Sequence, residues 1–141
     1  MLKLAPALGL VIVIVAACAF AADDRKSEPY LPLAHVIVDV AGGGRVDRLI
    51  RTIQEFAEAH HFRLILGAYP KLDRQVTNMK LHVGRDSYFY GSNFRDVKNF
   101  ELIAHSHESD SVWHPTWNEL VVRISSEFEV RVIQKGPGTN L

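Results

Sequence analysis

Several side chains that bind transition metals are concentrated between residues 105 and 114. His105 and His107 are two residues apart, so in a strand both imidazoles would project to the same side. Glu108, Asp110 and His114 supply nearby ligands that would complete a site for zinc or a similar transition metal. The chain has no His-Glu-x-x-His motif and no cysteine in this region. The segment is therefore compatible with a metal site and equally with a polar strand end and loop containing titrating histidines.

Serines in the same region do not form a nucleophile motif. Ser106, Ser109 and Ser111 lie near the histidines in sequence, but no Gly-x-Ser-x-Gly segment surrounds them. A Ser-His-Asp triad is assembled in space, so adjacency in sequence is no argument for one. We therefore expect a binding protein rather than an enzyme.

Three consecutive glycines, Gly42, Gly43 and Gly44, separate a predicted strand from a predicted helix. Backbone N–H groups and a helix dipole at such a junction can bind an anion, and Arg45 would add positive charge. The run lacks the spacing of a dinucleotide-binding loop and the lysine and hydroxyl pair of a Walker motif. A turn that reverses the chain onto the sheet explains the same residues, so the anion site is the weaker of the two interpretations.

The N-terminal residues have the three-part layout of a secretory signal peptide. Lys3 is followed by an apolar stretch from Leu4 to Val15 and by small residues before Cys18. The tetrapeptide Val15-Ala16-Ala17-Cys18 resembles the lipobox of bacterial lipoproteins. That resemblance, which covers only the first 18 residues, implies that Cys18 takes a diacylglycerol and becomes the first residue of the mature chain. Because such an anchor carries two or three acyl chains, it would attach the protein stably to a membrane that it does not span.

Two other interpretations of the same residues remain open. Ala19-Phe20-Ala21 fits an ordinary signal peptidase site, and cleavage there would release a soluble secreted protein without Cys18. The uncharged stretch Leu4–Ala22 is also long enough for an uncleaved anchor, although Pro6 and Gly9 interrupt it. In all three cases the positively charged N-terminus predicts that the body of the protein is exported.

The composition limits the function classes. The chain has 16 basic and 16 acidic residues, so it offers no strong positive charge for binding nucleic acid. Its single cysteine excludes an internal disulfide, and lipidation would consume a thiol that is otherwise a liability in an oxidising compartment. The mature chain is long enough to form one domain around a hydrophobic core.

Hydrophobic periodicity predicts six strands and two helices. Strands are expected at residues 33–40, 62–68, 75–83, 87–91, 98–106 and 128–134. The helices are expected over Arg45–His60 and from about Trp113, with Pro115 in the first turn of the second. The first strand should place Val36 and Val38 on one face and His35 and Ile37 on the other.

This order of elements predicts an α+β two-layer sandwich with a mostly antiparallel sheet and both helices on one face. It resembles an elaborated ferredoxin-like fold, which implies no particular activity. We expect a signal peptide at 1–17, a lipid-anchored tether at 18–32, a single domain at 33–135 and a tail at 136–141.

Aromatic residues are concentrated around the predicted hairpin, with Tyr69 nearby and Tyr88, Phe89 and Tyr90 in its second strand. In a two-layer sandwich one sheet face has no helices to cover it, and either the two tyrosines or Phe89 must point that way. Such a face suits a partner, a second copy or a ligand, although ordinary core filling with scattered surface tyrosines also explains these residues.

The expected function is that of an exported, lipid-anchored protein of the cell membrane or outer membrane. Its domain would bind an envelope protein or a small ligand, and neutralising a partner, as immunity lipoproteins do, is one such role. A homo-oligomer is compatible with this description, and no cofactor is implied. The alternative is a metal-binding protein or metal-dependent hydrolase that uses His105 and His107.

Overall fold

The computed structural model describes residues 32–71 and 74–136. The predicted signal peptide, Cys18, nearly all of the predicted tether and the tail from residue 137 onwards lie outside the described residues. In the part of the chain that is described, no helix combines the length and apolarity needed to cross a bilayer.

The described residues form a six-stranded sheet and two helices. In chain order the elements are β1 (Ala34–Asp39), α1 (Arg45–His60), β2 (Arg63–Lys71), β3 (Arg74–His82), β4 (Ser87–Asp96), β5 (Asn99–Ser106), α2 (Asp110–Ser125) and β6 (Val130–Gln134). The strand order is β2-β3-β4-β5-β1-β6, and every neighbouring pair is antiparallel. The predicted α+β sandwich is confirmed.

The topology places the first strand in the interior of the sheet. β1 lies between β5 and β6, whereas β2 to β5 form a meander in which each strand pairs with the next. This is the ferredoxin-like arrangement in which the usual hairpin between the two helices is lengthened to four strands. β2 and β6 are consequently the two edges of the sheet.

The core lies between one face of the sheet and the two helices. Alternate residues of β1 are buried, as the period of two predicts, so Val36 and Val38 face the helices while Ile37 does not. Phe89 from β4 meets the indole of Trp117 from α2 edge to face, with ring centroids 5.0 Å apart. Edge-to-face packing of this kind adds to the stabilisation that burial of the two rings provides.

α1 has the predicted bounds and buries an apolar stripe around Leu49, Ile53 and Phe56. It begins after Gly44, whose φ of 74° lies in the left-handed region that glycine adopts without cost. It ends at His60, and the next residue, His61, has a φ of 58° although it carries a side chain. The Phe62 N–H donates to the Ala57 carbonyl at 2.8 Å, which satisfies one of the last carbonyls of the helix.

β2 is longer than predicted, because it continues through Tyr69 and Pro70 instead of ending at Ala68. The strand continues to Lys71, and Pro70 pairs with Gln75 of β3. Proline has no N–H to donate to a neighbouring strand. It is tolerated here because β2 is an edge strand.

β4 and α2 also differ from the prediction. β4 extends to Asp96 rather than ending at Gly91, and its pairing with β5 is irregular between Ser92 and Asp96. α2 begins at Asp110, so Pro115 lies in its second turn rather than its first. The buried stripe of α2 therefore includes Trp113, which is fully buried.

Candidate functional site

The sheet has one face away from the helices, which we call the open face. Phe89 points into the core, so Tyr88 and Tyr90 on either side of it lie on the open face. Tyr90 is 40% exposed, and Tyr88 is half-buried. The choice between the two tyrosines and Phe89 that the sequence left open is thus made in favour of the tyrosines.

Strand register aligns one row of polar and aromatic side chains across the open face. Arg63 lies opposite His82, His82 opposite Tyr88, and Tyr88 opposite His105. These residues come from β2, β3, β4 and β5, so four strands contribute to a single row. We call Arg63, His82, Tyr88, His105 and Lys80 of the neighbouring row the Tyr88 cluster.

Tyr88 lies at the centre of this cluster. Its ring centroid is 5.2 Å from that of His105 and 6.3 Å from that of His82. The Lys80 ammonium is 4.0 Å from the centre of the same ring, which is within the range of a cation–π interaction. The backbone pairing of β3 and β4 therefore places the ring and the ammonium close enough to stabilise each other's position.

The electrostatic environment of the cluster is positive. Burial lowers the pKa of His105, and the charge of Lys80 lowers it further. Burial likewise lowers the pKa of His82, with smaller contributions from Lys80 and Arg63. Both imidazoles are therefore uncharged at neutral pH, and the positive charge of the cluster comes from Lys80 and Arg63.

The next row along the strands is mainly apolar and aromatic. Lys80 lies opposite Tyr90, Tyr90 opposite Ile103, and Ile103 opposite His35. Ile65 of β2 extends this row to the edge of the sheet. Neither row contains a carboxylate, so an approaching group meets an aromatic surface with cationic side chains at one end.

A shallow depression of about 210 Å³ adjoins the second row on the open face. It is lined by Tyr90, Ser92, Phe94, Arg95, Glu101 and Ile103. The Phe94 carbonyl accepts a hydrogen bond from the guanidinium of Arg74, and the Lys71 ammonium lies 3.5 Å from the centre of the Phe94 ring. These contacts fix the far end of β4 against the end of the β2–β3 pair.

Glu101 brings negative charge to the wall of the depression, but this charge is balanced within the protein. Its carboxylate is 3.7 Å from Nε2 of His35 and 3.7 Å from the guanidinium of Arg95. The open face is therefore polarised, because cations lie around Tyr88 and a carboxylate lies further along the strands beside Arg95.

The Glu108 carboxylate binds groups at the turn between β3 and β4. Its carboxylate accepts hydrogen bonds from the Ser87 hydroxyl and from the Asp86 N–H, the latter at 3.1 Å. These bonds, led by that of Ser87, lower the pKa of Glu108. Ser87 and Ser106 share a further bond of 2.6 Å, so the network ties the start of α2 to the β3–β4 turn.

The predicted metal ligands are not brought together. His105 lies on the open face against Tyr88, Glu108 binds the turn, and His114 packs against the indole of Trp113 on α2. Asp110 begins that helix and His107 is exposed. Among residues 32–71 and 74–136, no three His, Cys, Asp or Glu side chains are placed to hold a metal ion. β5 ends at Ser106 and α2 begins at Asp110, so the five candidates are divided among a strand, a loop and a helix.

The glycine run forms the turn before α1, and its neighbouring cations have other partners. Arg45 lies over the ring of Phe128 at 5.3 Å, and Arg48 forms an ion pair of 2.9 Å with Glu127. The Glu127 carboxylate thus neutralises the positive charge of Arg48, which an anion at this helix end would need. Gly42 and Gly44 both have positive φ, which accounts for glycine at these two positions.

Tyr69 lies on the open face but away from the Tyr88 cluster. It pairs with Val76, whereas Tyr88 pairs with His82, so the two tyrosines are separated by a distance of about 20 Å along the strands. Tyr69 is exposed at the edge of the sheet. It therefore belongs to the edge strand β2 rather than to the surface centred on Tyr88.

Sequence reasoning did not select three residues that the structure places in the Tyr88 cluster: Arg63, Lys80 and His82. Lys80 and His82 alternate with the apolar residues Met79 and Leu81 along β3, so a signal for their position away from the core is present in the sequence. Their proximity to Tyr88 depends on strand register, which no local pattern specified.

No family model matches the chain, and no curated protein matches it at a significant level.

Proposed function

We propose that this protein is an exported bacterial lipoprotein, anchored through Cys18, whose α+β domain binds a protein partner of the cell envelope through the open face. The anchoring part of the proposal is supported by the lipobox-like tetrapeptide that ends in Cys18. The binding part is supported mainly by one observation, which is that Tyr88 and Tyr90 lie on the sheet face opposite the helices.

The chemistry of this face favours a protein surface over a small ligand. The depression beside Tyr90 is small and open, whereas sites for small molecules enclose most of their ligand. Tyrosines on a rigid sheet provide a large contact area at low entropic cost, which is why they are enriched at protein interfaces.

The charges of the Tyr88 cluster favour an acidic partner. Lys80 and Arg63 are the charged groups of this cluster at neutral pH, since its two histidines have lowered pKa values. A carboxylate of the partner placed near Lys80 would gain a charge-assisted hydrogen bond. Complementary charge would also accelerate association, and this effect would weaken as salt concentration rises.

Site-specific photo-crosslinking in cells tests this assignment. A photoreactive phenylalanine analogue replaces Tyr90 in one variant and Val122, an exposed residue of α2, in a matched control. We expect a crosslinked protein from position 90 and none from position 122. The captured protein is then identified, purified and titrated against the full-length chain in detergent.

In that titration the double variant Tyr88→Asp/Tyr90→Asp should bind the purified partner at least about tenfold more weakly, which is the usual range for losing an aromatic anchor. Val122→Asp should bind as the wild type does. Equal binding by both variants, or crosslinking from position 122 alone, would exclude the open face as the binding surface.

Lipid attachment is tested separately by labelling cells with an alkyne fatty acid. The wild-type protein should carry the label and the variant Cys18→Ala should not. An unlabelled wild type, or a label that persists in Cys18→Ala, would contradict the anchor without affecting the test of the open face.

A metal-dependent function receives no support from the geometry, because the candidate ligands around His105 do not converge. A bound ion would stabilise the native state by mass action, so added zinc would raise the melting temperature if such a site formed. We expect the melting temperature to be unchanged by zinc and by chelator.

A further inference from the structure

We infer that the edge strand β2 is a self-association surface, through which two copies of this chain pair antiparallel and join their sheets. β2 is one of the two sheet edges and, within the described residues, only β3 pairs with it. One side of its backbone can therefore accept another strand. This surface shares Arg63 with the Tyr88 cluster and otherwise consists of different residues.

The central part of β2 lacks the features that normally prevent edge pairing. Residues 64–69 carry no charge and no proline, and Ile65, Leu66 and Tyr69 are large and exposed. Uncharged strands of this length with exposed apolar side chains readily pair with other strands. Charge and proline are confined to the ends of β2, at Arg63, Pro70 and Lys71.

Exposure on both faces distinguishes β2 from the interior strands. Ile65 lies on the open face and Leu66 on the face of the helices, yet each is 42% exposed. The helices therefore leave the middle of β2 uncovered on their own side. A second strand placed against this edge would bring apolar neighbours to both residues.

The other edge of the sheet is better protected. β6 has five residues, against nine in β2, and Arg131 lies within it. Lys135 follows directly after its last residue. A short strand that carries a charge is a poor template for further pairing.

Side-chain charge favours a second copy as the occupant and specifies one register. When two copies of β2 pair antiparallel about Leu66, Arg63 of each lies opposite Tyr69 of the other. A cation then meets an aromatic ring. Pairing about Gly67 would instead place Arg63 opposite Lys71, which is a repulsive pair. A shift that placed helix-side residues opposite open-face residues would disrupt both faces.

The central position of Leu66 provides the test. In the full-length chain in detergent, sedimentation equilibrium should show a dimer for the wild type. Leu66→Lys, which places two like charges directly opposite each other, should be monomeric with unchanged circular dichroism. Ile133→Lys, at a residue of β6 that is 50% exposed, is the matched control and should remain dimeric.

Cysteine crosslinking in membranes tests the register. In a chain with Cys18→Ala, which removes the only native thiol, Leu66→Cys should form an intermolecular disulfide under mild oxidation, since directly opposed Cβ atoms are about 5 Å apart. Ala68→Cys should not, because the two cysteines would lie roughly 13 Å apart along the strands. A monomeric wild type, a dimer that persists in Leu66→Lys or is lost in Ile133→Lys, or equal crosslinking at both positions would overturn the inference.

Discussion

The ring of Tyr88 lies 5.2 Å from the ring of His105 on the neighbouring strand, at the centre of the surface that we propose for binding. Both residues lie on the face away from the helices, and both are positioned by the pairing of β4 with β5. Lys80 approaches the same tyrosine from β3. Because three paired strands hold these side chains, the surface is formed before any partner arrives and need not be ordered on binding.

Substitutions of the adjacent residues Phe89 and Tyr88 should lower the free energy of unfolding by unequal amounts. Phe89→Ala removes a ring from the core beside Trp117 and should lower the free energy of unfolding by about 3–5 kcal/mol. Tyr88→Ala removes a half-exposed ring and should cost about 1 kcal/mol. Urea denaturation measures both values, and equal losses would contradict the assignment of the two rings to opposite faces.

The Tyr88 cluster should make stability depend on pH. His82 and His105 bind protons more weakly in the folded state, since their pKa values are lowered there. Below a pH of about 6.5 the unfolded chain takes up more protons, so the free energy of unfolding should fall as the pH decreases. The double variant His82→Gln/His105→Gln should lose less stability than the wild type between about pH 7.5 and about pH 5.5.

Lys80→Met should raise the pKa of both histidines, because it removes a positive charge that disfavours their protonation. Nuclear magnetic resonance titration of the imidazole protons measures this change. Lys98→Met, in the turn between β4 and β5, is the matched control and should leave both values as they are. A decrease in either pKa in Lys80→Met would contradict the electrostatic account.

Glu108 should depend on Ser87 for its acidity. The hydrogen bond from the Ser87 hydroxyl is the largest cause of the lowered pKa of this carboxyl. Ser87→Ala should therefore raise the pKa of Glu108 towards that of an ordinary glutamate. The bond contributes stability above a pH of about 4.5 that is lost as the pH falls further. Ser109→Ala is the control, because the Ser109 hydroxyl bonds to Ser111 instead. Carbon-13 titration of the carboxyl group distinguishes the two variants.

Gly91 should not tolerate a side chain. A Cβ at this position would lie 2.4 Å from the ring of Phe100 and 3.0 Å from the side chain of Met79, both of which are fully buried. Gly91→Ala should therefore destabilise the fold by about 1–3 kcal/mol. Gly43→Ala meets no atom within 4 Å and should be neutral or stabilising by about 0.4–1 kcal/mol. Thermal denaturation of the two variants provides the comparison.

His61 should be replaceable by glycine with a gain in stability. Its φ of 58° places a side chain in the left-handed region at the end of α1, and glycine removes the steric cost of about 1–2 kcal/mol. Since glycine loses more entropy on folding, a net gain of about 0.5–1 kcal/mol is expected in urea denaturation. His61→Ala keeps the strained conformation and should show no gain.

The sequence was sufficient for those features that depend on local periodicity. The apolar stripe of α1 and the alternation in β1 were predicted correctly, because burial on one side leaves a direct pattern in the residue types. The predicted start of α2 is too late, because the pattern puts Pro115 in the first turn, whereas the helix begins at Asp110 after Ser109.

Other features depend on contacts between distant segments and leave no local pattern. The extension of β4 beyond Gly91 passes through an irregular register at Ser92, where alternation is interrupted. The row that joins His82, Tyr88 and His105 arises from the pairing of three strands. The clustering of His105 with Glu108 in sequence was misleading for the same reason, because the two side chains leave the backbone on either side of the strand end.

The interior position of β1 has a consequence for the order of folding. The meander from β2 to β5 joins neighbouring segments and can form through short loop closures. β1 instead pairs with β5 and β6, which lie far along the chain, so its insertion closes the longest loops in the domain. Insertion of β1 is therefore expected to be a late and slow step, and until it occurs the meander would present a second unpaired edge at β5.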